Sequence, residues 1–310
     1  MVFWARGKIW RLNVADTSIR EIPFRVRDTR EMADPVRFSV DVAPDTFPVR
    51  MLRWVRVAPQ GDQVVYQALG HIYIKDLPDG KPTRLTNQKD HFEFHPSFSR
   101  DGQHIVYTTW NDKELGQVRV ASLSSESDQK NWAITTKPGH YIDPVFSPDG
   151  DTIVFQRTSG GWLTSPLWSR DQGIYAAPSK GGKAIKITDS GSRPQFGISN
   201  DRLFFQKNAS GSNADNRKLI SIGIDGKEER THFTSAWATD YQVSPDGKWI
   251  GFVERFHAYV APFVQTGKTV TLGPDQKGLP MMKASETAGD WIHFSGPSST
   301  LHWSLGPDLF

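Results

Sequence analysis

The chain has 310 residues, and 37 Lys and Arg against 34 Asp and Glu leave a formal charge of +3 and a pI near 9.0. Cysteine is absent, which excludes a disulfide framework and thiolate-bound zinc. With acids and bases nearly balanced and no long Lys/Arg block, a nucleic-acid-binding arm is also excluded, and no apolar run approaches the roughly 20 residues of a membrane-spanning helix.

In chain order, MVFWARGKIWRLNV (1–14) alternates like a strand and lacks the charged head and apolar core of a signal peptide. It begins at the triplet VFW, so residues 1–48 are expected to form a partial unit that lacks its first strand. Residues 21–50 lengthen the connection to the next unit, and long connections are commonly functional. A repeat then sets in. RVAPQGDQVVYQAL (56–69), SFSRDGQHIVYTTW (97–110), VFSPDGDTIVFQRT (145–158) and QVSPDGKWIGFVER (242–255) are its clear copies, with weaker ones at 194–207 and 293–306. The turn glycines or their equivalents fall near positions 61, 102, 150, 201, 247 and 297. That spacing is roughly 40 to 50 residues, the period of a β-propeller blade.

Within a copy each residue has a mechanical role. In Ser147-Pro148-Asp149-Gly150, proline presets φ at the first corner, aspartate caps the turn, and glycine takes the left-handed conformation that closes the hairpin. The following strand carries VVY (64–66), IVY (105–107), IVF (153–155), LFF (203–205), IGF (250–252) or LHW (301–303). These triplets do not alternate, so the strand is apolar on both faces and needs a sheet on each side. A third strand such as GQVRVASL (116–123) and a more polar outer strand such as KITD (186–189) complete the unit. The expectation is an all-β chain: a β-propeller of four-stranded antiparallel blades, six in number with a seventh left open, and incomplete terminal blades. The whole of 1–310 reads as one propeller domain, with repeats at about 49–91, 92–140, 141–190, 191–236 and 237–285 between partial blades 1–48 and 286–310. The strand near WIHFS (291–295) is expected to join the N-terminal half-blade and close the ring. Residues 159–172 read as a Trp-bearing loop inserted in one blade.

The F-S-P-D-G-x-x-I-V-F pattern, with outer strands ending in L-T or I-T, resembles the TolB-type, WD40-like (PD40) propeller repeat. Longer stretches, DHFEFHPSFSRDG (90–102), YTTWND (107–112), SPLWSRDQGIY (165–175), YVAPF (259–263) and LHWSLGPDLF (301–310), are similar to the propeller region of large bacterial secreted amidohydrolases. That resemblance implies a piece of a longer periplasmic or secreted chain, whose metal-dependent barrel lies outside these residues and would hold any metal.

The chain itself shows no catalytic motif. Its nine histidines include no His-x-His and no His-Glu-x-x-His, and there is no Gly-x-Ser-x-Gly elbow and no phosphate-cradling glycine loop before a helix. No catalytic residue, metal ligand or cofactor is therefore expected in this chain. Aligning the copies on their turns places Trp54, His95, Asp143, Arg193, Asp240 and Trp291 at one level of the inner strands, which line a propeller's axis. His91 and His140, just upstream, are expected to add to the mouth. Such a ring suits a peptide terminus, a cation or ordered water, or a channel whose residues satisfy one another. Three functions fit: a binding and scaffold module beside a catalytic domain of the same longer chain, a stand-alone periplasmic module that binds a protein or peptide partner, or the substrate-filtering propeller of a serine peptidase. None involves nucleic acid or a membrane span.

Overall fold

The computed structural model describes residues 1–124, 130–158, 171–208, 217–296 and 298–310. Most of the predicted insertion at 159–172 lies outside the described residues. All regular structure among the described residues is β, no helix is long and apolar enough to cross a membrane, and the chain divides into two compact units, Met1–Phe47 and Pro48–Phe310.

The first unit holds one antiparallel sheet, β1 (Val2–Ala5), β2 (Lys8–Leu12) and β3 (Ile19–Ile22). Lys8 and Glu21 pair across it at 2.8 Å. Residues 23–52 hold no strand, as the long connection read from the sequence predicts.

The second unit is a ring of six sheets. Blade one is β4 (Arg53–Val57), β5 (Gln63–Ala68), β6 (His71–Asp76) and β7 (Thr83–Arg84). Blade two is β8 (Phe92–Phe98), β9 (His104–Asn111), β10 (Leu115–Ser122) and β11 (Asn131–Ala133), and blade three is β12 (Tyr141–Phe146), β13 (Thr152–Arg157), β14 (Gly173–Pro178) and β15 (Ile185–Thr188). Blade four is β16 (Ser192–Phe196), β17 (Arg202–Asn208), β18 (Arg217–Gly223) and β19 (Arg230–Ser235). Blade five has β20 (Ala238–Val243), β21 (Trp249–Glu254) and β22 (His257–Pro262), then sends a loop carrying β23 (Val270–Thr271) before its own outer strand β24 (Met282–Lys283). Blade six is β25 (Asp290–Ser295), β26 (Thr300–Leu305) and β27 (Asp308–Leu309).

The second strands hold the ring together as their sequence requires. Ile105, Val106 and Tyr107 of β9 are fully buried, and successive side chains leave the sheet by opposite faces. Val106 joins Ile134, Tyr141, Ile153 and Phe155 toward blade three, whereas Ile105 and Tyr107 join Val65 and Ile72 toward blade one. In β13, Ile153 and Phe155 face blade two while Val154 faces Phe196, Leu203 and Phe205 of blade four. Each such side chain contributes about 1.5–3 kcal/mol on burial, so seams rather than single blades carry the stability.

The inner strands touch in the cyclic order β4, β8, β12, β16, β20, β25 and back to β4, so six blades close the ring within residues 48–310. The closing seam corrects one expectation. The strand at 291–295 does not pair with the N-terminal half-blade; β25 pairs with β26, and β1, β2 and β3 pair with one another. At that seam the Val57 N–H donates to His293 Nε2 at 2.8 Å, and Arg56 Nη1 donates to the carbonyls of Trp291 and Ile292, each at 3.2 Å.

The turns follow the predicted mechanics. Ser147 Oγ donates to Asp149 Oδ1 at 2.5 Å and accepts from the Thr152 N–H at 3.0 Å, while the Gly150 N–H returns to the Ser147 carbonyl at 2.9 Å. Gly150 has φ +77° with open space where a Cβ would project. Gly191, at φ +125°, lies against the Phe205 ring and Ile174. Gly150→Ala is therefore expected to cost about 1 kcal/mol, the left-handed backbone penalty alone. Gly191→Ala should cost clearly more, because the methyl also collides with the core. Urea unfolding of the full chain checks both, and equal midpoints for the two variants would contradict the assignment.

Candidate functional site: the axial socket

Every inner strand carries one extra residue relative to its neighbour, a β-bulge, at the same height. The register shifts fall between Arg53 and Arg56, Phe94 and Ser97, Ile142 and Val145, Ser192 and Gln195, Ala238 and Asp240, and Asp290 and His293. At the bulges Trp54, His95, Asp143, Arg193 and Trp291 have φ of 50°, 52°, 49°, 52° and 55°. Bulky residues rarely adopt positive φ, at a cost of about 1–2 kcal/mol each, so its recurrence at one level marks a built feature. In β20 the extra residue is Thr239, and Asp240 keeps a negative φ. Pro96, Pro144 and Pro194 follow three of the bulged residues. They are tolerated because the inner strand is an edge whose free side needs no N–H donor.

The bulges turn side chains from all six blades into one axial cavity of about 220 Å³, lined at this level by Trp54, His95, Asp143, Arg193, Asp240 and Trp291. The indole of Trp54 lies 4.1 Å from the imidazole of His95 and 5.6 Å from the indole of Trp291, centroid to centroid. His95 Nδ1 is 2.7 Å from Asp143 Oδ1, and Arg193 Nη1 is 2.8 Å from Asp240 Oδ1. Asp240 also accepts from Gln206 Nε2 and from the Tyr241 N–H, both at 2.8 Å. Burial works to raise Asp143, but the His95 hydrogen bond and the nearby charges of His95, Arg193 and Arg56 outweigh it and hold the carboxyl below its usual range. The Asp240 carboxylate stabilises the Arg193 cation.

Two residues farther along the strands, a second level joins neighbouring blades. Gln195 Nε2 donates to the Tyr241 carbonyl and Gln195 Oε1 accepts from the Val243 N–H, both at 2.7 Å. His293, 2.8 Å from the Trp291 carbonyl through Nδ1, uses Nε2 as the acceptor for Val57, an arrangement that needs a neutral ring. Burial, followed by the Arg56 charge, pushes its pKa well below the ordinary histidine value. Beyond this level, Arg100 of the blade-two turn donates from Nη2 to the Gly197 carbonyl at 2.7 Å and from Nη1 to the Pro245 carbonyl at 3.2 Å. A side chain that starts in blade two and ends on the turns of blades four and five lies across the axis. The cavity is a socket with Arg100 as its floor.

All six ring residues read from the turn alignment thus meet in one cavity. His91 and His140 do not line it. The His140 ring packs on Trp110 at 5.5 Å, and His91 lies with His71, Asp90 and Trp110 in a separate cavity, its Nε2 buried without a partner. Burial lowers the pKa of both. Arg56, Gln195, His293 and Arg100 were missed. For the first three the available signal was their place two residues past a ring position, on the same strand face. For Arg100 it was an arginine in the turn position that is proline at 148 and 245. Among the described residues, no three His, Asp or Glu side chains are grouped to hold a metal ion.

No family model matches the chain, and no curated protein matches it. Solved structures do. TolB from Acinetobacter baumannii is similar at 18% identity and a TM-score of 0.56, over 77% of this chain and 55% of that one. An oligogalacturonate lyase from Vibrio parahaemolyticus is similar at 10% identity and a TM-score of 0.55, over 96% and 79%. The tricorn protease is similar at 13% identity and a TM-score of 0.51, over 84% of this chain and 28% of that one. The chain thus spans about half the length of the TolB structure. At these identities the likeness is one of fold: the protein has a β-propeller fold similar to that of TolB.

His293 gives the socket an acid limit. Its folded pKa is depressed, so the unfolded chain takes up this proton first, and the contribution to stability falls as pH drops below about 6.5. The urea midpoint should decline between pH 7.5 and 5.5, and His293→Gln should show a shallower decline from a lower starting stability. An unchanged slope in that variant would contradict a neutral His293 at the seam.

Proposed function

We propose that this propeller is a non-catalytic binding and scaffold module that docks its ligand or partner in the axial socket. We further propose that it belongs to a longer periplasmic or secreted chain, whose metal-dependent amidohydrolase domain does the chemistry and whose own residues hold the metal. The observation that carries the docking reading is the bulged ring: every blade carries an extra inner-strand residue, five of them in a strained backbone, to turn unlike side chains into one cavity. A scaffold alone would not need it. The attachment rests on the stretches, among them 90–102 and 301–310, that are similar to the propeller region of secreted amidohydrolases. Arg100 across the axis argues against a peptidase filter with substrate threading through the ring.

The partner is a catalytic domain of the same chain or a separate protein or peptide. His95→Ala combined with Asp143→Ala should abolish binding in the socket, and calorimetry that finds binding unchanged discards the docking reading. The coding sequence beyond residue 310 tests the attachment. A His-x-His-bearing barrel there supports it, a Gly-x-Ser-x-Gly region replaces it with a serine peptidase, and an early stop replaces it with a stand-alone module.

A further inference from the structure

The charges in the socket do not balance, and the excess is local. Three guanidiniums, of Arg56, Arg100 and Arg193, face two carboxylates, of Asp143 and Asp240. Asp240 accepts through Oδ1 from Arg193, Gln206 and a backbone N–H, and Asp143 is engaged through Oδ1 by His95. Arg193 is committed to Asp240 and the Thr239 carbonyl, and Arg100 to its two carbonyls. Arg56 differs. It donates through Nη1 alone, to backbone carbonyls, and among the described residues it has no carboxylate within ion-pair distance. Arg56 lines the socket. Burial opposes its charge, yet a guanidinium stays protonated.

Resting on the docking reading, we infer that the socket selects a carboxylate, received by the guanidinium of Arg56 in the cavity that Trp54 and Trp291 also line. Two parallel N–H donors of a guanidinium match the two oxygens of a carboxylate. The net positive lining disfavours a cation, whose two candidate carboxylates are already neutralised. The cavity, at about 220 Å³, is smaller than the roughly 300–1,000 Å³ of ordinary ligand pockets, so it takes an end group rather than a whole large ligand. That end group is supplied by a peptide C-terminus or by a small organic acid.

The test titrates the full chain, by calorimetry and tryptophan fluorescence, with four probes: acetyl-Ala-Ala-Phe with a free carboxylate, the same peptide as its C-terminal amide, 3-phenylpropionate, and 3-phenylpropylamine. The peptide acid is expected to bind at least about tenfold more tightly than the amide, with affinity falling as salt rises. Comparable binding of 3-phenylpropionate supports a free acid as ligand, and its weak binding supports a chain terminus. Arg56→Gln should abolish the acid–amide difference. Because Arg56 also clips the closing seam, Arg56→Lys is the companion: it keeps the charge without the paired donors, so the acid–amide difference should shrink and not vanish, a graded response that a damaged fold does not produce. Equal binding of acid and amide, or preference for the amine, overturns carboxylate selection and leaves the docking reading standing. Silence from all four probes overturns both.

Discussion

The ring depends on second strands that are apolar on both faces. A strand such as Ile105-Val106-Tyr107 cannot be half-solvated, so its sheet must have a neighbour on each side. Sheets that twist and stack face to face around a common line satisfy that demand for every blade only when the last meets the first. Closure is thus a requirement of the middle strands. The hydrogen bonds at the seam between β4 and β25 fix where it happens, and the hydrophobic clusters make it favourable.

The inner strands gain a different freedom from the same arrangement. Their outer edge is tied to a second strand, but their axial edge pairs with no strand, so an extra residue can be inserted there without breaking a sheet. The insertion rotates one side chain per blade toward the axis, and the next position on that face is left to hold the neighbouring blade through Arg56, Gln195 or His293. Recognition and assembly therefore sit two residues apart on the same strands. The ring can vary its chemistry, from tryptophan to aspartate to arginine, while the backbone beneath it keeps one conformation in five of the six blades.

How much of this was legible depends on what repeats. The turn recurs with the same letters, and each ring residue stands four positions before the residue that opens its turn, Ser99 after His95 and Ser147 after Asp143. Aligning turns therefore found the ring. The seam residues share a position but not a side chain, because each answers a different neighbouring backbone, and no letter pattern marks them. His91 and His140 were misplaced for the opposite reason: proximity in sequence to the ring suggested the mouth, whereas the chain ahead of the inner strands turns them toward Trp110. The partner of the last inner strand was misjudged because its own hairpin copy, HFSGPSSTLHW, departs from the common turn.

The short strand β23 leaves blade five and adds to the outer edge of blade four, parallel to β19 through Phe233 and Thr234. Leu272 and Leu279 of the same excursion are buried in the cluster shared by the two blades. These two blades are laced at the rim by a strand as well as packed face to face. A peel that begins at the Phe233–Thr234 stretch of the circumference must first strip chain from blade five, and that part of the rim is closed to strand addition by another molecule.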